Sequence, residues 1–105
     1  MILFKKIEAL KTYLATQRAK GMKVGYAPTM GALHQGHASL IKKAKAENDI
    51  SVCSIFVNPT QFNDPADLEK YPRTESQDTT LLESLKNNVL FYPSVAEIYL
   101  SLIHI

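Results

Sequence analysis

The run Ile50 to Val57 (ISVCSIFV) constrains this chain more than any other segment. It is nearly continuous in apolar character, rich in β-branched residues, and closed by Asn58-Pro59. A strand apolar on both faces must be covered on both faces, which is the situation inside a parallel sheet flanked by helices. The rest of the chain supplies those helices. Ile7, Leu10 and Leu14 recur at helical spacing, and Gly21 follows as a stop, so the pattern predicts an amphipathic helix over Ile7 to Lys20. Lys23 to Ala27 predicts a short strand ended by Pro28, because proline cannot donate to a sheet ladder.

A loop with Gly31 and Gly36 then leads into a predicted helix over His37 to Asn48, with Leu40, Ile41 and Ala44 as its apolar stripe and Lys42, Lys43, Lys45 and Glu47 solvated. Beyond the central strand, Asp64-Pro65 is an N-cap with proline at the first helical position, which predicts a short helix over Ala66 to Lys70. Thr74 and Gln77 have capping-box spacing ahead of Leu81, Leu82 and Leu85, predicting a helix to about Lys86. Val89 to Tyr92 reads as a third strand stopped by Pro93, and Ser94 with Glu97 repeats the capping-box pattern for a terminal helix. Strands alternating with helices predict an α/β fold, a Rossmann-like parallel sheet with flanking helices and right-handed crossovers.

Composition narrows the function classes. The 105 residues are 46% apolar and 21% charged, which is globular and excludes wholly disordered and collagen-like chains. A formal net charge of +2 is too mild to imply a nucleic-acid partner. No stretch approaches the ~18 consecutive apolar residues of a membrane span. The opening MILFKKIEALKTYLATQRAK has no signal-peptide apolar block, and a single cysteine forms no internal disulfide, which together predict a cytoplasmic setting.

The chemistry concentrates in Pro28-Thr29-Met30-Gly31-Ala32-Leu33-His34-Gln35-Gly36-His37. The segment follows a strand and opens a helix, where open α/β sheets place their ligands. A helix N-terminus offers unpaired N–H donors and the positive end of a dipole, hence a phosphate site. His34 and His37, three residues apart, converge on one anion and can donate to a phosphate whose charge grows in the transition state. Taken alone, an HxGH tetrapeptide reads better as a turn with surface or capping histidines. Metal ligation by the pair lacks carboxylate or thiolate partners, so no metal ligands are assigned.

Three blocks, PTMGALHQGHASL, SIFVNPTQF and DLEKYPRT, resemble in order and spacing the signature blocks of the pantothenate synthetase family, within the HxGH-bearing nucleotidyltransferase superfamily. The resemblance implies ATP-dependent ligation of pantoate and β-alanine through a pantoyl-adenylate intermediate, with Mg2+ accompanying ATP and a homodimeric assembly. It implies that Met30, Gly31, Ala32, Leu33, His34, Gln35, Gly36 and His37 form the ATP segment, with His34 and His37 at the phosphates and His37 as proton donor. Gln61 is implied to contact pantoate and β-alanine, because an amide both donates and accepts. Met30 is implied to wall the pantoate pocket. Pro28 and Thr29 lie in the same block. Asn58 either orients phosphate or substrate or serves the Asn-Pro turn. Tyr71-Pro72-Arg73-Thr74 matches the family block and is equally a turn feeding the next helix. Cys53, inside the apolar strand, is expected to be a small buried side chain rather than a nucleophile.

Family members are longer. Residues 1–99 are therefore expected to be the first part of a nucleotide-binding domain. Residues 100–105 depart from the family pattern and read as a frameshift or vector read-through, with the C-terminal domain absent. Such a piece is expected to expose a sheet edge that invites self-association, to bind nucleotide weakly at most and to be inactive alone. Two other readings stay open at this point, another HxGH nucleotidyltransferase and a non-catalytic nucleotide-binding or dimerisation module.

Overall fold

In a computed structural model, residues 1–59, 64–70 and 74–103 are described. They form a four-stranded, all-parallel sheet of β1 (Ile2–Phe4), β2 (Val24–Thr29), β3 (Ile50–Ile55) and β4 (Val89–Phe91), in the order β1-β4-β3-β2. Around it lie α1 (Ile7–Ala19), α2 (Gln35–Glu47), α3 (Pro65–Lys70), α4 (Glu75–Ser84) and α5 (Val95–Ile103). The expected α/β class is what the chain adopts. No described helix is long and apolar enough to cross a membrane.

The central strand behaves as its composition demands. All six residues of β3 are buried, and they alternate between two cores. Ile50 and Val52 join Val89 on the face that α1 covers with Leu10 and Leu14. Cys53 and Ile55 join Ala27 and Leu90 on the other face, under Ile41 of α2 and Leu82 of α4. The strand ends at Ile55, short of the predicted Val57.

Several local expectations are corrected. The N-terminal Ile2–Phe4, left unassigned, forms β1 by pairing with β4, so Val89–Phe91 is the fourth strand rather than the third. β2 continues through Pro28, which sits opposite Ser54. Lys23 and Thr29 present their carbonyls to β3, so the alternate residues Val24, Tyr26 and Pro28 face the open side of an edge strand, where a missing N–H costs nothing. α2 begins at Gln35 rather than His37, placing Gly36 in its first turn. Leu40 is 51% exposed, and Ala38 takes its expected place beside Ile41 on the buried face. Thr74 caps α4 without a side-chain bond to the helix backbone; its hydroxyl donates to Asp78 Oδ2 at 3.0 Å, so the expected Thr74–Gln77 box does not form.

Other signals were good guides. Asp64 Oδ1 accepts from the Ala66 N–H at 2.9 Å ahead of Pro65, and Ser94 Oγ accepts from the Glu97 N–H at 3.0 Å. The expected open edges are present: β1 and β2 each pair with one neighbour among the described strands.

Candidate functional site

A parallel sheet points the C-terminal ends of its strands, and the N-termini of the following helices, to one side. There the chain forms a cavity of about 670 Å³. Its walls include Tyr26, Pro28 and Thr29 from β2, Ser54 from β3, Phe91 from β4 and Ile98 from α5. Met30, Gly31, Ala32, His34, His37 and Asn58 complete much of the lining. Tyr26, 58% exposed, reaches over the edge and donates its hydroxyl to Ser54 Oγ at 2.8 Å.

The turn from β2 to α2 is tight. Gly31 and Ala32 both have positive φ, +84° and +51°. Glycine takes this region freely, whereas alanine does so at a cost and must be held there. A Cβ on Gly31 would also come within 3.2 Å of Ile55 and 3.3 Å of Asp78 Oδ2. Two hydrogen bonds fix the turn from outside: Ala32 N–H donates to Asp78 Oδ2 at 3.0 Å, and Leu33 N–H donates to Asp78 Oδ1 at 2.9 Å.

The turn delivers His34 to the N-cap of α2, where the two histidines cap one another's backbone. His34 Nδ1 accepts from the Gly36 N–H at 3.0 Å, and His37 Nδ1 accepts from the His34 N–H at 3.2 Å. This is a capping box built from imidazoles instead of the usual hydroxyl and carboxylate. The rings lie 4.2 Å apart at 50°. Because each Nδ1 accepts, the neutral tautomer with its proton on Nε2 is assigned to both rings, leaving Nε2–H as the remaining donor. Burial first, and the neighbouring His34 second, lower the pKa of His37, with Asp78 opposing them. Gly36 serves this arrangement sterically: a Cβ there would lie 2.9 Å from His34 Cε1.

The expectation of unpaired N–H donors at this helix start is corrected in part: the Gln35 amide, at the first helical position, is in none of the bonds that engage its neighbours. The amides of Gly31, Ala32, Leu33, His34 and Gly36 are already bonded, to Thr29 Oγ1, to Asp78, and within the histidine pair. The bonds among these groups use only Nδ1 of each imidazole, and the rings stand at the positive end of the helix dipole. Of the expected ATP segment, Met30, Gly31, Ala32, His34 and His37 line the cavity; Leu33 packs on the core instead, and Gln35 is exposed.

Asn58 and Met30 both line the cavity. Gln61, Tyr71, Pro72 and Arg73 lie outside the described residues. Cys53 is fully buried, and burial pushes its thiol pKa up to about 11, which suits the expected inert side chain. Among the described residues no cluster of three or more His, Cys, Asp or Glu could hold a metal ion.

Sequence reasoning missed Asp78. The signal was present: Asp78, Leu82 and Leu85 fall at i, i+4 and i+7, which puts a carboxylate on the stripe of α4 that faces the core. A charge on an apolar stripe is rarely there without partners.

The family model for pantoate-beta-alanine ligase matches residues 2–105. The pantothenate synthetase of Phocaeicola vulgatus is 56% identical over 99 residues, covering 94% of this chain and 35% of the relative. That of Francisella philomiragia is 54% identical, covering 94% and 38%. Among solved structures, the pantoate-beta-alanine ligase of Francisella tularensis, complexed with beta-gamma ATP and beta-alanine, superposes with a TM-score of 0.82 at 51% identity, over 94% of this chain and 38% of that one. The pantothenate synthetase of Thermus thermophilus gives 0.76 at 39% identity, over 94% and 34%. The chain thus spans little more than a third of the length of these relatives.

Proposed function

The chain belongs to the pantoate-beta-alanine ligase family, and we propose that it carries the phosphate-handling corner of an enzyme that joins pantoate to β-alanine at the expense of ATP. The observation that carries the reading is the reciprocally capped pair His34 and His37 on a cavity at the C-terminal ends of the strands. Pantoate carboxylate attacks the α-phosphorus of ATP, an oxygen–phosphorus bond forms, and diphosphate leaves. The β-alanine amine then attacks the acyl carbon of the adenylate and AMP departs, taking the electron pair of the broken bond.

Positioning and charge stabilisation are the protein's share of such a transfer. The Nε2–H groups of His34 and His37 donate to phosphate oxygens whose charge grows as diphosphate leaves. In the free chain burial and His34 lower the pKa of His37, which favours the neutral ring before phosphate arrives, and the phosphate charge opposes that shift once bound. Met30 and Asn58 wall the substrate side, and Gln61 contacts pantoate and β-alanine through its amide. Magnesium prefers oxygen ligands and carboxylates above all, whereas the described lining of this corner offers two imidazoles and neutral hydroxyl and amide oxygens, with no carboxylate among them. A cation held by these side chains does not fit, and Mg2+ belongs with the phosphates of ATP. The same reading takes a homodimer in the cytoplasm as the working form, and residues 1–99 as the opening of the nucleotide-binding domain.

With about a third of its relatives' length, the 105-residue chain is proposed to bind ATP weakly and to make negligible pantothenate by itself. The test is pantoate-dependent exchange of diphosphate into ATP, with the chain supplemented by the remaining two-thirds of a full-length relative. Exchange is expected, and H37A should lower it by about 100-fold or more. No exchange from a folded, associated pair would sink the ligase reading. Robust β-alanine-dependent AMP release by the chain alone would overturn its insufficiency.

A further inference from the structure

Asp78 lies outside all three signature blocks, yet it is the group on which the β2–α2 turn hangs. It is 3% exposed and sits in the first turn of α4, more than forty residues from the turn that it touches. Oδ1 accepts from Leu33 N–H at 2.9 Å, and Oδ2 accepts from both Ala32 N–H and Thr74 Oγ1, each at 3.0 Å. A buried carboxylate is costly unless its lone pairs are matched, and here three donors match them. Two of the three are consecutive amides of a turn whose Ala32 stands in the left-handed region. Without the carboxylate, that turn would lose both external hydrogen bonds that hold it.

We propose that Asp78 is a positioning residue for the histidine pair: by pinning the Ala32 and Leu33 amides it fixes the left-handed turn, and so the direction in which the chain enters α2 and presents His34 and His37 to the cavity. The proposal rests on the phosphate-facing reading of that pair only for its catalytic meaning; the structural coupling stands or falls separately. An asparagine cannot substitute, since it offers one oxygen where two are used and turns an NH₂ toward a backbone donor.

The experiment is nuclear magnetic resonance on the 105-residue chain and its D78N variant, following the Ala32 and Leu33 amide protons, the His37 ring proton against pH, and binding of ATP. The groups acting on His37 are His34 and Asp78. D78N should move both amides upfield, lower the His37 titration midpoint because the carboxylate that raises it is gone, and weaken ATP binding by about tenfold, within the ~100-fold that an ångström of misplacement can cost. L82A removes core packing from the same helix and is the control for a merely structural role; it should leave the His37 midpoint in place. A folded D78N with unchanged amides and an unchanged midpoint overturns the proposal, as does an L82A shift equal to that of D78N. If the wild-type chain binds no ATP while D78N still moves the Ala32 and Leu33 amides, the positioning role is supported and the phosphate reading is decided by the exchange assay with the supplemented chain. Should D78N not fold, T74V takes one donor from Oδ2 and is expected to move the Ala32 amide; an unmoved amide overturns the proposal.

Discussion

The sheet carries a polar cluster at each end, and the two are built to opposite purposes. At the N-terminal ends of the strands, Ser51 Oγ donates to Asn87 Oδ1 at 2.8 Å, Asn87 Nδ2 donates to Val89 O at 2.8 Å, and Asn88 Oδ1 accepts from Ser51 N–H at 2.9 Å. Ser51 and Asn87 are buried, and the shorter hydrogen bonds of the cluster stay within it and the adjoining strand, with Lys45 Nζ and Met1 Sδ at its margin, each at 3.4 Å. At the C-terminal ends, the same economy is applied to the backbone amides alone. Thr29 Oγ1, Asp78 and the two Nδ1 atoms accept from five of them, and the Nε2 edges of the histidines take no part in these bonds. A closed network joins strands; a half-closed one holds donors ready without having to release them first.

The largest effect should come from breaking the closed end. Asn87→Ala takes the shortest partner from the Ser51 hydroxyl, which keeps Asn88, and a donor from the Val89 carbonyl in a buried place, and is expected to cost about 2 kcal/mol in urea unfolding while leaving ATP affinity of the folded chain unchanged. His34→Ala should do the reverse, losing about 1 kcal/mol with its cap but most of the nucleotide binding. If the two variants scored alike in both measurements, the contrast between the ends would collapse. Gly31→Ala tests how much of the site end is backbone: a positive φ and two close neighbours predict a loss of about 1–2 kcal/mol.

The smallest effect is in pH. The pKa of His37 is lower in the folded chain than in the unfolded one, so the unfolded state binds the proton more readily. The contribution to stability is therefore fully present above the unfolded value of 6.5 and is lost as pH falls through the folded one. Urea midpoints should drop on acidification across that window, and His37→Gln should flatten the drop. An equal drop in the variant would assign it to other groups.

What the sequence discloses follows the range of the interactions involved. The β3 strand and the caps at Asp64 and Ser94 are legible because each is decided by residues within a few positions. The histidine pair is legible as chemistry, though not as a mutual cap, because Nδ1 acceptance depends on ring orientation. Asp78 escaped notice because its partners, Ala32 and Leu33, are brought to it only by the packing of α4 beside α2 on the same face of the sheet. Pro28 misled because a proline's meaning in a strand depends on which side is open, a property of the finished sheet. The position of Gln61 lies outside the described residues, and its role rests on the family's pattern.

The first strand has a consequence for how the molecule comes off the ribosome. Ile2, Leu3 and Phe4 pair with Val89, Leu90 and Phe91, and the bonds that close this seam run from Ile2 N–H to Asn88 O at 3.0 Å and from Tyr92 N–H to Phe4 O at 2.8 Å. The opening turn of α1 is likewise met from the far end, where Glu97 Oε1 accepts from Ile7 N–H at 3.0 Å. Residues 2–7 thus find these partners only after residues 88–97 have been made. Vectorial emergence lets β2 and β3 zip together while β1 waits, and a parallel seam of such high sequence separation is slow to close. A nascent chain halted before Asn88 would carry the histidine pair without the inner strand that joins β1 to β3.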